Sequence, residues 1–316
     1  MLTNDAVIEF LGQNPALSLS ILEKEAGLPS STLSKAMAGR RTLNEKHLQA
    51  LIPILSKYGF PNSTRRKAKV YSVINHKGGV GKTTTTINLG KALALKNYRV
   101  LMVDMDSQGN LSQSLGIDEP ETQVVHTLLN NSPLVTHTIG ERYDLAPSDL
   151  ELAYADLELV QAVGGVNQLR NALAPILDRY DYILIDCPPA LNIFTNSALV
   201  ASDACLITLQ PEASAMKGVS NLFDRIFQVR DRINYTLKVE GILLTMVDRR
   251  LKVHRDMIDY IKQTLGDFRL FESEIRNNVA VKESQIAQQD IFTYAPQSNA
   301  AEDYMKLAIE LTQNAS

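Results

Sequence analysis

Residues 70–90 read VYSVINHKGGVGKTTTTINLG, an apolar run that passes through three glycines into a stretch with helical spacing. Glycines at 78, 79 and 81 let successive backbone N–H groups turn toward one point, and a helix starting there adds the positive end of its dipole. Such a loop cradles phosphate oxygens, and its place between a buried strand and a helix calls for a sheet whose strand ends meet the site. Lys82 is spaced to reach the β- and γ-phosphates, and Thr83 to offer Mg2+ a hydroxyl. The strict spacing is broken, however. His76 occupies the first glycine position, and Lys77 opens the turn, where it points out of its own loop and cannot duplicate Lys82.

Downstream, the short apolar runs KVYSVIN, YRVLMVD, YDYILID, ACLITL and GILLTMV alternate with helical stretches at 82–96, 163–178, 211–230 and 252–265. Continuous apolar strands are buried on both faces. The expected fold class is therefore α/β, a doubly wound, mostly parallel sheet with helices on both faces. Asp104 and Asp106 stand two apart after the second run, so on an extended segment they face the same way. One carboxylate suits the waters of Mg2+ and the other an attacking water. Asp186 closes YDYILID, and Pro188-Pro189 follow in a loop placed to sense a γ-phosphate. Cys187 and Cys205 lie inside apolar runs, which reads as buried thiols rather than a disulfide, a zinc site or an iron–sulfur site.

The stretch Lys77-Gly78-Gly79-Val80-Gly81-Lys82-Thr83 resembles the deviant Walker A family of P-loop ATPases, whose loop reads Lys-Gly-Gly-x-Gly-Lys-Ser/Thr. In that family the extra lysine crosses a dimer interface to the partner's ATP. The resemblance thus implies that Lys77 serves a second chain and couples hydrolysis to assembly. It implies ATP and Mg2+ as ligands, with ATP held by Lys77, Gly78, Gly79, Val80, Gly81, Lys82, Thr83 and Thr84. Catalytic roles fall to Lys77, Lys82 and Asp106, and the metal shell to Thr83, Asp104 and Asp186. MVDMDSQGNLS is similar to the family's Asp-x-Asp-Pro-Gln-Gly-Asn stretch, with Ser107 in place of proline, which assigns Asp106 to the water and Asp104 to the metal-linked shell.

Over 70–316 the chain looks most like ParA-type DNA-partition ATPases: GILLTMVDRR, EIRNNVAVKESQ and NAAEDYMKLAIEL match that family's late strand, base-side segment and final helix. The likeness implies an ATP-dependent homodimer that binds nonspecific DNA through Arg250, Lys252, Arg255 and Arg276, with Lys282 as a companion. Adenine contacts are expected within 245–248 and 275–278. The implied partner is a ParB-like centromere-binding protein, and the implied location is cytoplasmic, on the nucleoid.

Residues 1–69 carry ten Lys/Arg against five Asp/Glu in a chain of net charge −3, so a basic front end precedes an acidic body. That polarity points to nucleic acid. Helical spacing at 5–12, 17–26, 30–38 and 43–58 predicts an all-α module over 1–60, with 61–69 as a basic linker before the 70–316 domain. LSILEKEAGLPSSTLSKAMAGRR has the layout of a helix-turn-helix, with Gly27 at the turn, Ser30 or Ser31 as cap, and Leu33 and Met37 facing inward. The outer face then presents Ser31, Thr32, Ser34 and Lys35, with Arg40 and Arg41 just beyond, a set suited to base edges and phosphates. The module resembles the phage-repressor-like helix-turn-helix family, although Glu23 stands where a small residue is common. By that likeness its target is operator DNA at the chain's own operon.

The opening MLTNDAVIEF has no basic and apolar leader pattern, and no uncharged apolar run approaches about 18 residues, so no membrane association is expected. The tail MKLAIELTQNAS also lacks the basic amphipathic helix of MinD-like positioning ATPases. An ATP-modulated transcriptional regulator is the other class compatible with these motifs.

Overall fold

The computed structural model describes residues 4–58, 60, 67–130 and 132–313, and the chain divides into two compact units, Met1–Lys67 and Ala68–Ser316. Residues 61–66 of the expected linker lie outside the described residues. Its end is corrected: Ala68 N already donates to Leu177 O at 2.7 Å, and Lys69 is the first residue of a strand.

The described part of the first unit is helical: α1 (Asn4–Gln13), α2 (Leu19–Glu25), α3 (Thr32–Met37) and α4 (Glu45–Leu55). Val7, Leu11, Leu22, Leu33, Leu51 and Leu55 close around one another as its core. The chain turns from α2 toward α3 at Gly27, whose φ of +63° is left-handed. Two expectations fail here. Neither serine caps α3; Ser31 itself is left-handed at φ +65° and makes no side-chain cap bond. The first turn is held instead by the buried Glu23 carboxylate, which accepts from Ser31 N at 3.0 Å and Leu33 N at 2.6 Å. The inner face of α3 is Leu33 with Ala36, while Met37 is exposed, because a six-residue helix has only one turn to bury.

The second unit is built on one eight-stranded sheet: β1 (Lys69–Ile74), β2 (Val100–Asp104), β3 (His137–Gly140), β4 (Tyr143–Ala146), β5 (Tyr182–Asp186), β6 (Ala204–Leu209), β7 (Lys238–Val247) and β8 (Leu270–Arg276). Their order is β3-β4-β2-β5-β1-β6-β7-β8, and every pair is parallel except β3 with β4. The central strands β2, β5 and β6 are buried at every position, as their unbroken apolar runs require. Alternate residues feed opposite layers. Val70, Leu101, Val103 and Ile183 pack with α6 (Val124–Asn130), α7 (Glu151–Gln161), α8 (Gln168–Leu173), α9 (Ile193–Ala201), α10 (Val219–Arg232) and α11 (Lys252–Thr264). Tyr71, Val73, Met102 and Leu184 pack with α5 (Lys82–Leu95) and α13 (Asn299–Gln313), and α12 (Val279–Ile286) leans on that layer.

Two long helices predicted from the sequence are broken. The 163–178 stretch gives α8 and then a 3₁₀ turn, Ala174–Ile176, that begins at Pro175's ring constraint. The 211–230 stretch splits into a turn at Ala213–Met216 and α10, separated at Gly218 with φ +79°. Parallel register sets Asp104 directly beside Asp186, and Val73 beside Asp186, so β1, β2 and β5 bring their C-terminal ends to one place.

Candidate phosphate-binding site

At that edge lies a cavity of about 920 Å³. One wall is the glycine turn with Gly78, Gly79, Gly81, Lys82, Thr83 and Thr84; Asp106, Gln108 and Asn110 form a second, and Thr245, Met246 and Ile275 to Asn278 a third. Both segments expected on the adenine side thus contribute to the lining. Gly79 and Gly81 have φ of +72° and +84°, and a Cβ at Gly78 or Gly79 would meet nothing within 4 Å. The inner surface of the turn is bare backbone, which is what lets phosphate oxygens approach N–H groups. Val80, like Lys77, is an expected ATP contact that does not line the cavity. Its side chain is fully buried and its carbonyl accepts from Thr245 Oγ1 at 2.9 Å, so it anchors the turn.

Lys82 is buried, and its Nζ donates to Lys77 O at 3.0 Å across its own loop. Burial lowers its pKa, opposed by the negative charge of Asp186 and Asp106. Thr83 Oγ1 donates to Asp186 Oδ2 at 2.6 Å. Asp186 is fully buried, and burial first, then the neighbouring Asp104, pushes its carboxyl well above the ordinary range. Among the described residues no three His, Cys, Asp or Glu side chains gather as a cage. A hydroxyl beside one carboxylate at a phosphate cradle nevertheless fits Mg2+, which takes one or two protein ligands and completes its shell with waters and phosphate oxygens.

The two acids after β2 have different positions. Asp106, 8% exposed, lines the cavity, and its turn is fixed by Gln108 N donating to Oδ1 at 3.0 Å. Asp104 is fully buried and turns into its own loop: Oδ1 accepts from Asp106 N at 3.1 Å, and Oδ2 from Ser112 N at 3.0 Å and Ser112 Oγ at 2.7 Å. The metal-shell role expected of Asp104 is corrected accordingly. It holds the Asp106 turn, and burial raises its carboxyl to about 7.

Lys77 does not line the cavity. Its Nζ pairs with Glu212 Oε2 at 3.0 Å, its N donates to Asn75 Oδ1 at 3.0 Å, and Gln210 Nε2 reaches Gly79 O at 3.3 Å from the same segment as Glu212. Sequence reasoning missed Ser112, Gln210 and Glu212, because only the fold brings them to the loop.

Of the expected DNA contacts, Arg250, Lys252 and Arg255 meet at the turn into α11. Arg250, with its side chain 89% exposed, grips Asp248 at 2.9 and 2.7 Å, and Arg255 Nη1 donates to the carbonyls of Arg249 and Arg250. Lys252 is exposed at the first position of α11. The Arg276 guanidinium, 41% exposed, is paired with Asp303 and Glu302 of α13, so it also fastens β8. Lys282 is exposed and lines the cavity. In the first unit Ser31, Ser34, Lys35, Arg40 and Arg41 are exposed. Thr32 is not; it is fully buried, with its hydroxyl on Pro29 O at 2.7 Å, a correction to its place on the outer face. Cys187 and Cys205 are buried free thiols, as expected.

A family model described as AAA domain matches residues 68–239. The chain is 40% identical over 250 residues to the chromosome partitioning protein ParA of Myxococcus xanthus, covering 77% of this chain and 87% of that one. It is 38% identical over 251 residues to the sporulation initiation inhibitor protein Soj of Bacillus subtilis, covering 78% and 99%. Among solved structures it is similar to cobyrinic acid a,c-diamide synthase of Mycobacterium smegmatis with bound ATP analog and magnesium, at 30% identity and a TM-score of 0.70, covering 78% of this chain and 96% of that one.

Proposed function

The chain belongs to the AAA-domain family, among its ParA- and Soj-like P-loop ATPases, and from that premise we propose that it hydrolyses ATP with Mg2+ in a pocket completed by a second copy of itself. The observation that carries the proposal is the division of labour between two lysines of one turn. Lys82 lines the cavity with Thr83 and Asp106, with Asp186 buried behind Thr83, whereas Lys77 lies outside it and is held by Glu212. A cation at the rim neutralises charge on a triphosphate only when another chain's pocket is brought to it, so pairing and catalysis become one event.

Within this reading the backbone N–H groups of 78–83 and Lys82 bind the phosphates, and Thr83, with Asp186 behind it, holds the metal side. Held there, Mg2+ would supply neutralisation of the phosphate charge. Asp106 orients the attacking water, and Asp104 keeps that turn in place through Ser112 and the Asp106 amide. Thr245, Met246 and the 275–278 segment form the base side.

The paired molecule then binds DNA without sequence preference through Arg250 and Lys252, with Arg255 bracing the turn, and a ParB-like partner at a centromere stimulates hydrolysis and release. Segregation of plasmid or chromosomal DNA follows from that cycle, on the nucleoid in the cytoplasm. The first unit adds operator binding as a helix-turn-helix through Ser31, Ser34, Lys35, Arg40 and Arg41. No described helix is long and apolar enough to cross a membrane.

Two variants test the core of this reading. Lys77→Ala should bind ATP as a monomer and fail to dimerise. Asp106→Ala should bind ATP and dimerise, yet lose hydrolysis by about 100-fold or more. Sedimentation with ATP together with phosphate release distinguishes them, and identical behaviour of the two variants refutes the assignment.

A further inference from the structure

Three cations line the cavity: Lys82, Arg276 and Lys282. Two of them already have a place. Lys82 belongs to the phosphate turn, and the Arg276 guanidinium pairs with Asp303 and Glu302. Lys282 forms no ion pair among the described residues, and the lining's one described carboxylate, Asp106, stands on another wall. Its sequence neighbour Glu283 does not line the cavity; the Oε2 of Glu283 accepts from Tyr294 OH at 3.4 Å. A lysine on an exposed helix is ordinarily a solvated charge. Position sets this one apart.

Val281, Lys282, Gln285 and Ile286 place one face of α12 on the cavity. Both ends of that face are fixed. At one end Gln285 Nε2 donates to Thr84 Oγ1 at 3.1 Å, which ties α12 to the first turn of α5, where the phosphate cradle ends. Just beyond α12, Ile291 N donates to Asn88 Oδ1 at 2.8 Å and braces the same joint. At the other end Asn278 caps the helix by accepting from Ala280 N at 3.0 Å, and Asn277 and Asn278 line the base side. Lys282 comes three residues before Gln285, about 4.5 Å along the axis toward the base side. It therefore stands over the gap between Thr84 and Asn278. A nucleotide with its terminal phosphates on the glycine turn and its base against 275–278 crosses that gap with its ribose and α-phosphate. Ribose offers an ammonium only neutral hydroxyls, whereas the α-phosphate offers a full charge.

We infer that Lys282 binds the α-phosphate of the nucleotide held in its own chain, from the side facing the glycine turn. The inference rests on the nucleotide reading above. It gives Lys282 a role distinct from that of Lys77: the α-phosphate is present in ADP as well as ATP, so this contact needs no second copy and outlasts hydrolysis.

The test is competition against a fluorescent ADP by ADP, a non-hydrolysable ATP analogue and adenosine, on the full chain with Mg2+ at low protein concentration. Lys282→Ala should weaken ADP and the analogue alike by about three- to tenfold and leave adenosine unchanged. Lys282→Arg should restore most of the loss, and the loss should shrink as salt rises. Lys82→Ala, which removes the turn's own cation, is the control for the site. A wild type that binds no ADP, or a Lys82→Ala that binds it like the wild type, would overturn the nucleotide reading and this inference with it. Wild-type affinity in Lys282→Ala beside a weakened Lys82→Ala would overturn this inference alone. A loss shared by adenosine would move the lysine to the base, and a flatter salt slope on random DNA with ADP affinity intact would move it to a DNA face; either result overturns the α-phosphate contact.

Discussion

Glu23 stands at a position where a carboxylate looks out of place, between two turns of a helical hairpin, and its burial becomes intelligible only through the amides it meets. Ser31 is left-handed and caps nothing, so the first N–H groups of α3 would be orphaned inside the unit without the two Glu23 oxygens. Hydrogen bonds to a charged acceptor are worth more than neutral ones, and leaving the donors unmet costs more again. Glu23→Ala should therefore destabilise the first unit by about 2–3 kcal/mol, and Glu23→Gln, which keeps one acceptor, by less. Hydrogen exchange at the Ser31 and Leu33 amides, with thermal unfolding of the full chain, checks this; unchanged protection in the alanine variant would show the cap to be dispensable. Asp104 follows the same logic. The sequence places it two from Asp106 and on the same side, but spacing does not say whether a carboxylate faces a ligand or its own backbone. Ser112, eight residues on, decides it.

At the level of elements, the central strands, α5 and α11 were legible because their patterns stand out: four consecutive apolar residues in β2, β5 and β6, a glycine turn opening α5, and helical spacing of Val253, Met257, Ile258 and Ile261 in α11. β3, β4 and β8 were not. β3 and β8 are partly buried edge strands and β4, though inside the sheet, has only four residues, so their patterns are too short or too weak to stand out from loops. The split at Gly218 was hidden for another reason. Helical periodicity continues across it, and only the left-handed φ and the ring of His76 packed on the glycine require the break. A Cβ there would come within 2.5 Å of His76 Nε2, so Gly218→Ala should cost about 1–3 kcal/mol and disturb the turn next to Lys77, read as a lower melting temperature together with weaker ATP binding. The β8–α13 clamp carries a pH signature. Lys306 first, then Arg276, holds Glu302 at about 2 instead of the ordinary 4.5. A carboxylate with a depressed folded-state pKa stabilises above its unfolded value and loses that contribution as pH falls. Glu302→Gln should thus melt below the wild type at neutral pH, and the difference should close between 4.5 and about 2. A gap that persists in acid would point to packing rather than charge.

For the whole molecule the proposed DNA binding has to be reconciled with a net charge of −3. A single acidic ATPase unit with one exposed arginine turn is a poor DNA ligand; two of them presented together are a better one, because each neutralised phosphate multiplies affinity by releasing counterions. The distribution of charge fits a switch in which nucleotide sets the number of turns in contact. Arg250 is exposed but shared with Asp248, so DNA must outcompete an ion pair that is already screened by water. Each phosphate contact adds about 0.9 to the slope of log affinity against log salt, so Arg250→Ala, removed twice in a dimer, should flatten that slope by about 2 for random-sequence DNA in the presence of ATP. Lys35→Ala in the first unit should instead weaken operator binding and leave the ATP dependence on random DNA intact. Filter binding or anisotropy over a salt series, with and without ATP, separates the two surfaces. An unchanged slope in Arg250→Ala would move the DNA face away from the α11 turn, and equal affinity with and without ATP would remove dimerisation as its control.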